Sequence, residues 1–301
     1  MIEISPRKTG GLRPDGKIAK GLDAIVDKGI DIMGVKILYD DHPWLKGPIG
    51  NPAGIGEGYF LQLGQQQGLH VVKNHNEGLL ANFAKDLEGV HFNPDLITPE
   101  IVNFYEHTSG YTMDLDIKWK KTAKLLFGLS HTLFTRRYGQ MNMPLNDPPD
   151  GAIQSDIYAL EEVGDRVPKM TGWVRRNRQT GETVLSGAYS IAKLPNNPDV
   201  QCIRVVFPIP CGNATVFLEP RNLEDGAMRL VSKGDQFGDP GLYIVQNETD
   251  VSAQVVYLKK FTQELNFTMD SFDRLQAQHS FAFGKRGILE LDYAIACKNG
   301  Q

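Results

Sequence analysis

From residue 151 onward the chain alternates apolar and polar residues at a period of two. Leu265, Phe267 and Met269 alternate with Asn266 and Thr268, Phe281 and Phe283 with Ser280 and Ala282, and Leu289, Leu291, Tyr293 and Ile295 with Glu290 and Asp292. This is the signature of strands with one face buried. Short turn signals separate the runs. Arg178-Gln179-Thr180-Gly181 stands between 173–176 and 183–189, residues 208–213 between 202–207 and 214–218, Glu224-Asp225-Gly226 before 227–232, and Gly238-Asp239-Pro240-Gly241 before 242–245. The β-branched stretch 251–261 reads as one long strand. Parallel sheets need crossovers of about a dozen residues or more. These connections are shorter, so the sheet is expected to be antiparallel, with about nine or ten strands. So many strands remove their edges by curling into a barrel or folding into a two-layer sandwich.

The period changes in residues 59–150. Thr98 is placed to cap a helix that has Pro99 at its first position and Glu100 in its first turn, and that runs to about Thr108 before Gly110. Ile101, Val102 and Tyr105 share one face of it. A second helix is predicted over 122–138 from Ala123, Leu125, Leu126, Leu129, Leu133 and Phe134. Residues 1–58 are rich in glycine, proline and charge. Five glycines and two prolines fall within residues 46–58, which read as a loop, and 21–39 leaves room for one short helix and one strand. The expected architecture is α+β: a loop-rich wrap over 1–58, a helical region over 59–150 packed on the sheet, and an antiparallel β region over 151–301, forming one domain overall.

Composition narrows the function. The 301 residues are 41% hydrophobic and 23% charged, an ordinary globular balance, with a net charge of −4. That sign argues against nucleic acid as a partner. No run reaches the ~18–20 apolar residues that span a membrane, and the first eleven residues lack the apolar core of a secretory signal, so no transmembrane segment is expected. Cys202, Cys211 and Cys297 make no disulfide framework; free thiols and a cytoplasmic location are the expectation.

Several chemistries lack their residues. The glycines at 54, 56 and 58 are followed by Tyr59 where a dinucleotide fingerprint needs its last glycine, and no Gly-Lys-Ser/Thr is present. Ser130 has Thr132 where a nucleophile elbow has glycine. His75-Asn76-Glu77 has no Pro-Cys-x-x-Cys to complete a zinc deaminase pair, and His70, His75 and His91 have no ligand spacing. No metal and no cofactor is expected.

Four groupings remain. Glu106, His107 and Tyr111 stand at a predicted helix end and, with His279, are the candidate acid–base residues. Residues 118–137 carry Lys118, Lys120, Lys121, Lys124, Arg136 and Arg137 beside Trp119, with no acidic residue over 117–146. That pattern suits packing against the sheet, or contact with an anionic membrane surface. Arg136 and Arg137 are also candidate clamps for a carboxylate or phosphate. The strands are rich in aromatic residues, and a barrel of about eight strands or more holds either packed side chains or one small ligand. The leading reading is therefore a cavity for a hydrophobic or amphipathic small molecule, lined by Tyr105, Trp173, Tyr257 and Phe281 and anchored by Arg136, Arg137 or His279. Two alternatives use the same residues: a metal- and nucleotide-independent isomerase, cyclase or hydrolase in the same cavity, and a peripheral membrane or interaction module built on 118–137.

Overall fold

A computed structural model describes residues 34–50, 58–73, 78–120, 152–165, 167–179, 181, 183–209 and 211–298. The helix predicted over 122–138, with Arg136 and Arg137, and the histidine at position 75 lie outside the described residues.

The strands are β1 (Val35–Leu38), β2 (His70–Lys73), β3 (Tyr111–Trp119), β4 (Ala152–Glu161), β5 (Pro168–Asn177), β6 (Thr183–Leu194), β7 (Asn197–Ile209), β8 (Gly212–Asn222), β9 (Met228–Ser232), β10 (Gly241–Asn247), β11 (Ser252–Tyr257), β12 (Phe261–Met269), β13 (Leu275–Phe283) and β14 (Arg286–Cys297). The helices are α1 (Tyr59–Gln67), α2 (Phe83–Leu87) and α3 (Pro99–Glu106). All the strand pairings are antiparallel.

Ten strands close on themselves in the order β8-β7-β6-β5-β4-β3-β14-β13-β12-β9 and back to β8. Closure depends on β8. Its first half pairs with β10, Gly212 opposite Gln246 through Phe217 opposite Gly241. Its second half pairs with β9, Glu219 opposite Val231 through Asn222 opposite Met228. The same edge of one strand thus seals the barrel and carries a wing of β10, β11 and β1. The sheet is a barrel, in which the β3–β4 seam rests on two pairs, Met113 opposite Ile153 and Asp114 opposite Ala152.

The alternation sorts the side chains. On β14, Leu289, Leu291, Tyr293 and Ile295 are buried inside, facing Met113, Leu115 and Ile117 of β3 across the register. Outside, Asp292 pairs with Lys118 and Glu290 with Lys120. Three clusters make up the core. The largest fills part of the barrel and includes α2 and α3, which close one end of it. A second joins the wing to the outer side of β7 and β8 through Tyr243, Phe217 and Cys202. In the third, α1 lays Phe60 and Leu63 on Tyr158, Leu160 and Val174 of β4 and β5.

Several expectations need correction. Residues 251–261 hold the end of β11, a turn and the start of β12 rather than one strand; Phe261 N–H closes the turn by donating to Leu258 C=O at 2.9 Å. The stretch expected to be helical contributes β3, a full barrel strand, and β2, which pairs with β4. Lys118 and Trp119 end β3, so the basic run does not begin as a helix at 118, and Lys118 is matched by Asp116 and Asp292. The α3 helix stops at Glu106, two residues early. Thr98 occupies its N-cap, but its hydroxyl donates to Gly226 C=O at 2.9 Å instead of accepting from the helix.

Candidate functional site

The α3 helix enters the barrel with aromatic side chains leading. Phe104 lies 6.3 Å from Trp173 of β5 and 5.9 Å from Phe267 of β12, and Tyr105 lies 5.4 Å from Phe267 (ring centroids). Gly78 lets the preceding segment lie flat on the end of α3: a Cβ there would meet Tyr105 C=O at 2.1 Å, and Leu80 N–H donates to that carbonyl at 3.1 Å. This end of the barrel is filled.

Among the described residues no helix fills the other end. Moving away from α3, the inward positions are Arg175 and Leu185, Phe207, Phe281 and Trp119, aligned by the registers of β5 to β7 and of β13, β14 and β3. All five are only half-buried although they face inward. Together they give this end of the barrel an aromatic wall that keeps accessible surface. Gly187, opposite Trp173 on β6, is covered by the Phe207 ring, which a Cβ there would meet at 3.1 Å.

Among the described residues, Arg175 brings the positive charge to this end. Its guanidinium lies 4.2 Å over the Trp173 ring and reaches the Tyr293 hydroxyl at 3.5 Å. It also bonds the Tyr189 hydroxyl. β14 is three strands from β5 around the barrel, so a side chain joining them crosses the lumen. Burial raises the hydroxyl pKa values of Tyr105, Tyr189 and Tyr293, so all three keep their protons at neutral pH; Arg175 counters part of that rise for Tyr189 and Tyr293. His279 faces inward from β13 beside Phe281, 4.0 Å between centroids, and its Nε2 lies 3.1 Å from Gln263 Oε1. Desolvation first, and the nearby Arg175 second, push its pKa down to about 3, so the imidazole is neutral at pH 7.

Four inward polar atoms, Arg175 Nε, Trp173 Nε1, Ser155 Oγ and Ser232 Oγ, are buried without a hydrogen-bond partner among the described residues. Ser155 stands directly opposite Arg175 in the β4–β5 register, and Trp173 is the next inward residue along β5. Buried donors are nearly always satisfied, and orphans mark strain, water or a ligand. Among the described residues no carboxylate pairs with Arg175.

The residues singled out from sequence divide. Tyr105, Trp173, His279 and Phe281 face the barrel interior. Tyr257 does not: it stacks on Tyr243 in the wing, 4.8 Å between centroids, and its hydroxyl donates to Pro240 C=O. Glu106 accepts a 2.7 Å hydrogen bond from Phe83 N–H and holds the start of α2. His107 caps the end of α3, and Tyr111 packs its ring on Phe104 at 5.5 Å. The four candidate acid–base residues therefore serve separate local roles, with only His279 at the open end. His70 sits beside Glu161 at 3.8 Å on β2. No group of three metal-ligating side chains occurs among the described residues. Sequence reading missed Arg175 and Ser155. Arg175 and Arg176 are adjacent on one strand, and alternation alone does not say which faces in; Arg176 pairs with Asp156 outside.

No helix among the described residues is long and apolar enough to cross a membrane. No protein-family model matches the chain, and no solved structure does. It is similar to the Uncharacterized membrane protein YndJ of Bacillus subtilis (strain 168), with 25% identity over 159 residues. The match covers 52% of this chain and 28% of that protein, so the chain corresponds to little more than a quarter of this relative.

Proposed function

We propose that the barrel binds a hydrophobic or amphipathic small molecule in its lumen. One observation carries this: past the plug made by α3, the inward side chains Trp119, Leu185, Phe207 and Phe281 keep accessible surface inside a closed sheet. Removing apolar surface from water is worth about 25 cal/mol per Å2, so such a wall favours an apolar guest. A few polar groups among aromatic ones are the usual composition of a ligand site. Trp173, Phe281 and His279 line this space, with Tyr105 at its floor.

The test is a titration of the purified chain with N-phenyl-1-naphthylamine, a neutral apolar probe that fluoresces on burial, together with native mass spectrometry of the freshly purified protein. Saturable one-to-one binding is expected, weakened by Phe281→Arg, which places a charge in the wall. Absence of both a co-purifying mass and saturable fluorescence would overturn the reading.

A further inference from the structure

Arg175 and its two unpartnered neighbours, Trp173 on the same strand and Ser155 opposite it, offer groups of one kind. Arg175 Nε and Trp173 Nε1 can only donate, and Ser155 Oγ has a proton to give. A guest that satisfies all three must present acceptors, and more than one. Water would satisfy the donors but leave a half-buried guanidinium without a counter-charge, which is costly in a low-dielectric interior. An oxyanion supplies both.

We infer that the lumen holds the carboxylate of a monocarboxylic amphiphile on Arg175, Ser155 and Trp173, with the tail along the half-exposed aromatic end. This rests on the lumen-binding reading above and specifies its ligand. The planar guanidinium fork matches the two oxygens of a carboxylate. Charge count favours a carboxylate over a phosphate monoester. Tyr189 and Tyr293 are protonated and His279 is neutral, so among the described residues Arg175 is the cation that faces the guest, and these residues would leave a dianion half compensated. Trp173 under the guanidinium fixes its plane, Tyr293 holds it from across the lumen and Tyr189 from the neighbouring strand β6, so the fork is pre-aimed before anything binds.

The experiment is displacement of N-phenyl-1-naphthylamine from the full chain by dodecanoate, methyl dodecanoate and dodecyl phosphate, in the wild type, Arg175→Met and Ser155→Ala. Dodecanoate is expected to displace the probe at a concentration at least about tenfold below the methyl ester, since charge-assisted hydrogen bonds carry that much discrimination. Arg175→Met should bring dodecanoate to the ester's level, each displacement being referred to the probe affinity measured in the same variant. Ser155→Ala should narrow the gap without closing it. If acid and ester displace equally in the wild type, or dodecyl phosphate outcompetes dodecanoate, the carboxylate assignment falls while lumen binding stands. If the probe itself does not bind, the lumen reading fails and this one with it. Should Arg175→Met not fold, the acid-to-ester ratio in the wild type and the Ser155→Ala ratio decide the matter alone.

Discussion

The carboxylate of Glu106, the last residue of α3, accepts a 2.7 Å hydrogen bond from the backbone N–H of Phe83, the first residue of α2. Together with Asn82 Oδ1, which accepts from Lys85 N–H at 2.9 Å, it satisfies two of the open donors of that short helix. The two helices that plug the barrel are thereby tied to each other. Glu106→Ala should lower stability by about 1 kcal/mol, the usual value of a lost cap, and leave probe binding unchanged. Urea denaturation checks the first part. A loss of binding at full stability would instead mark Glu106 as part of the site.

Phe60 of α1 is seated where Gly172 of β5 has no side chain: a Cβ at 172 would meet the Phe60 ring at 2.6 Å. Gly172→Ala should destabilise by roughly 1–3 kcal/mol through overpacking. Phe60→Ala alone should cost about 3–5 kcal/mol. In the double variant the methyl group meets no ring, so the two losses should sum to more than the combined effect. Strict additivity in a double-mutant cycle would show that the two residues do not touch.

His279 gives the folded protein a pH dependence of known sign. Its pKa is about 3 in the fold, through burial, against about 6.5 in an unfolded chain. Between those values the unfolded state binds a proton that the folded state does not. This contribution is complete above about pH 6.5 and is lost progressively as pH falls toward 3. Asp270, held near 2 chiefly by backbone and side-chain hydrogen bonds from Arg274, adds a loss of the same sign, confined to more acid solution. Stability of wild type and His279→Gln measured from pH 7.5 to pH 4.5 should therefore diverge in slope, the variant being flatter. Parallel curves would show that His279 is not enclosed.

The three thiols should separate by environment. Cys202 is buried between β7 and the wing, and desolvation pushes its pKa up to about 12. Cys211 and Cys297 are exposed. Thiolate is the reactive form, so a disulfide reagent at pH 8 should titrate two thiols in the native protein and the third only after denaturant is added. Three fast thiols in the native state would contradict the packing of the wing against β7.

Much of the fold was legible in the chain, and the reason lies in the period of two. Leu289, Leu291, Tyr293 and Ile295 are buried because alternate residues of a strand point the same way, and that holds whatever the strand pairs with. The turn at Gly181, with a φ of 69°, was likewise visible. What stayed hidden has weak local patterning. β3 reads Tyr-Thr-Met-Asp-Leu-Asp-Ile-Lys-Trp, a clean alternation concealed by the helical stretch expected around it. Glu106 looked like an acid and proved to be a cap, since its partner is 23 residues away in the chain.

By itself, the sequence determined that the second half is antiparallel, that its strands have one apolar face, and that they are too many to stay an open sheet. Those properties are set by neighbours a few positions apart. Only the tertiary structure decided that β8 shares its edge between β9 and β10 and so closes ten strands, that α3 fills one end, and that Arg175 rather than Arg176 points in. These are long-range outcomes. Which face of a strand becomes the inside depends on how the whole sheet curls and what packs against it, and no local pattern of residues contains that.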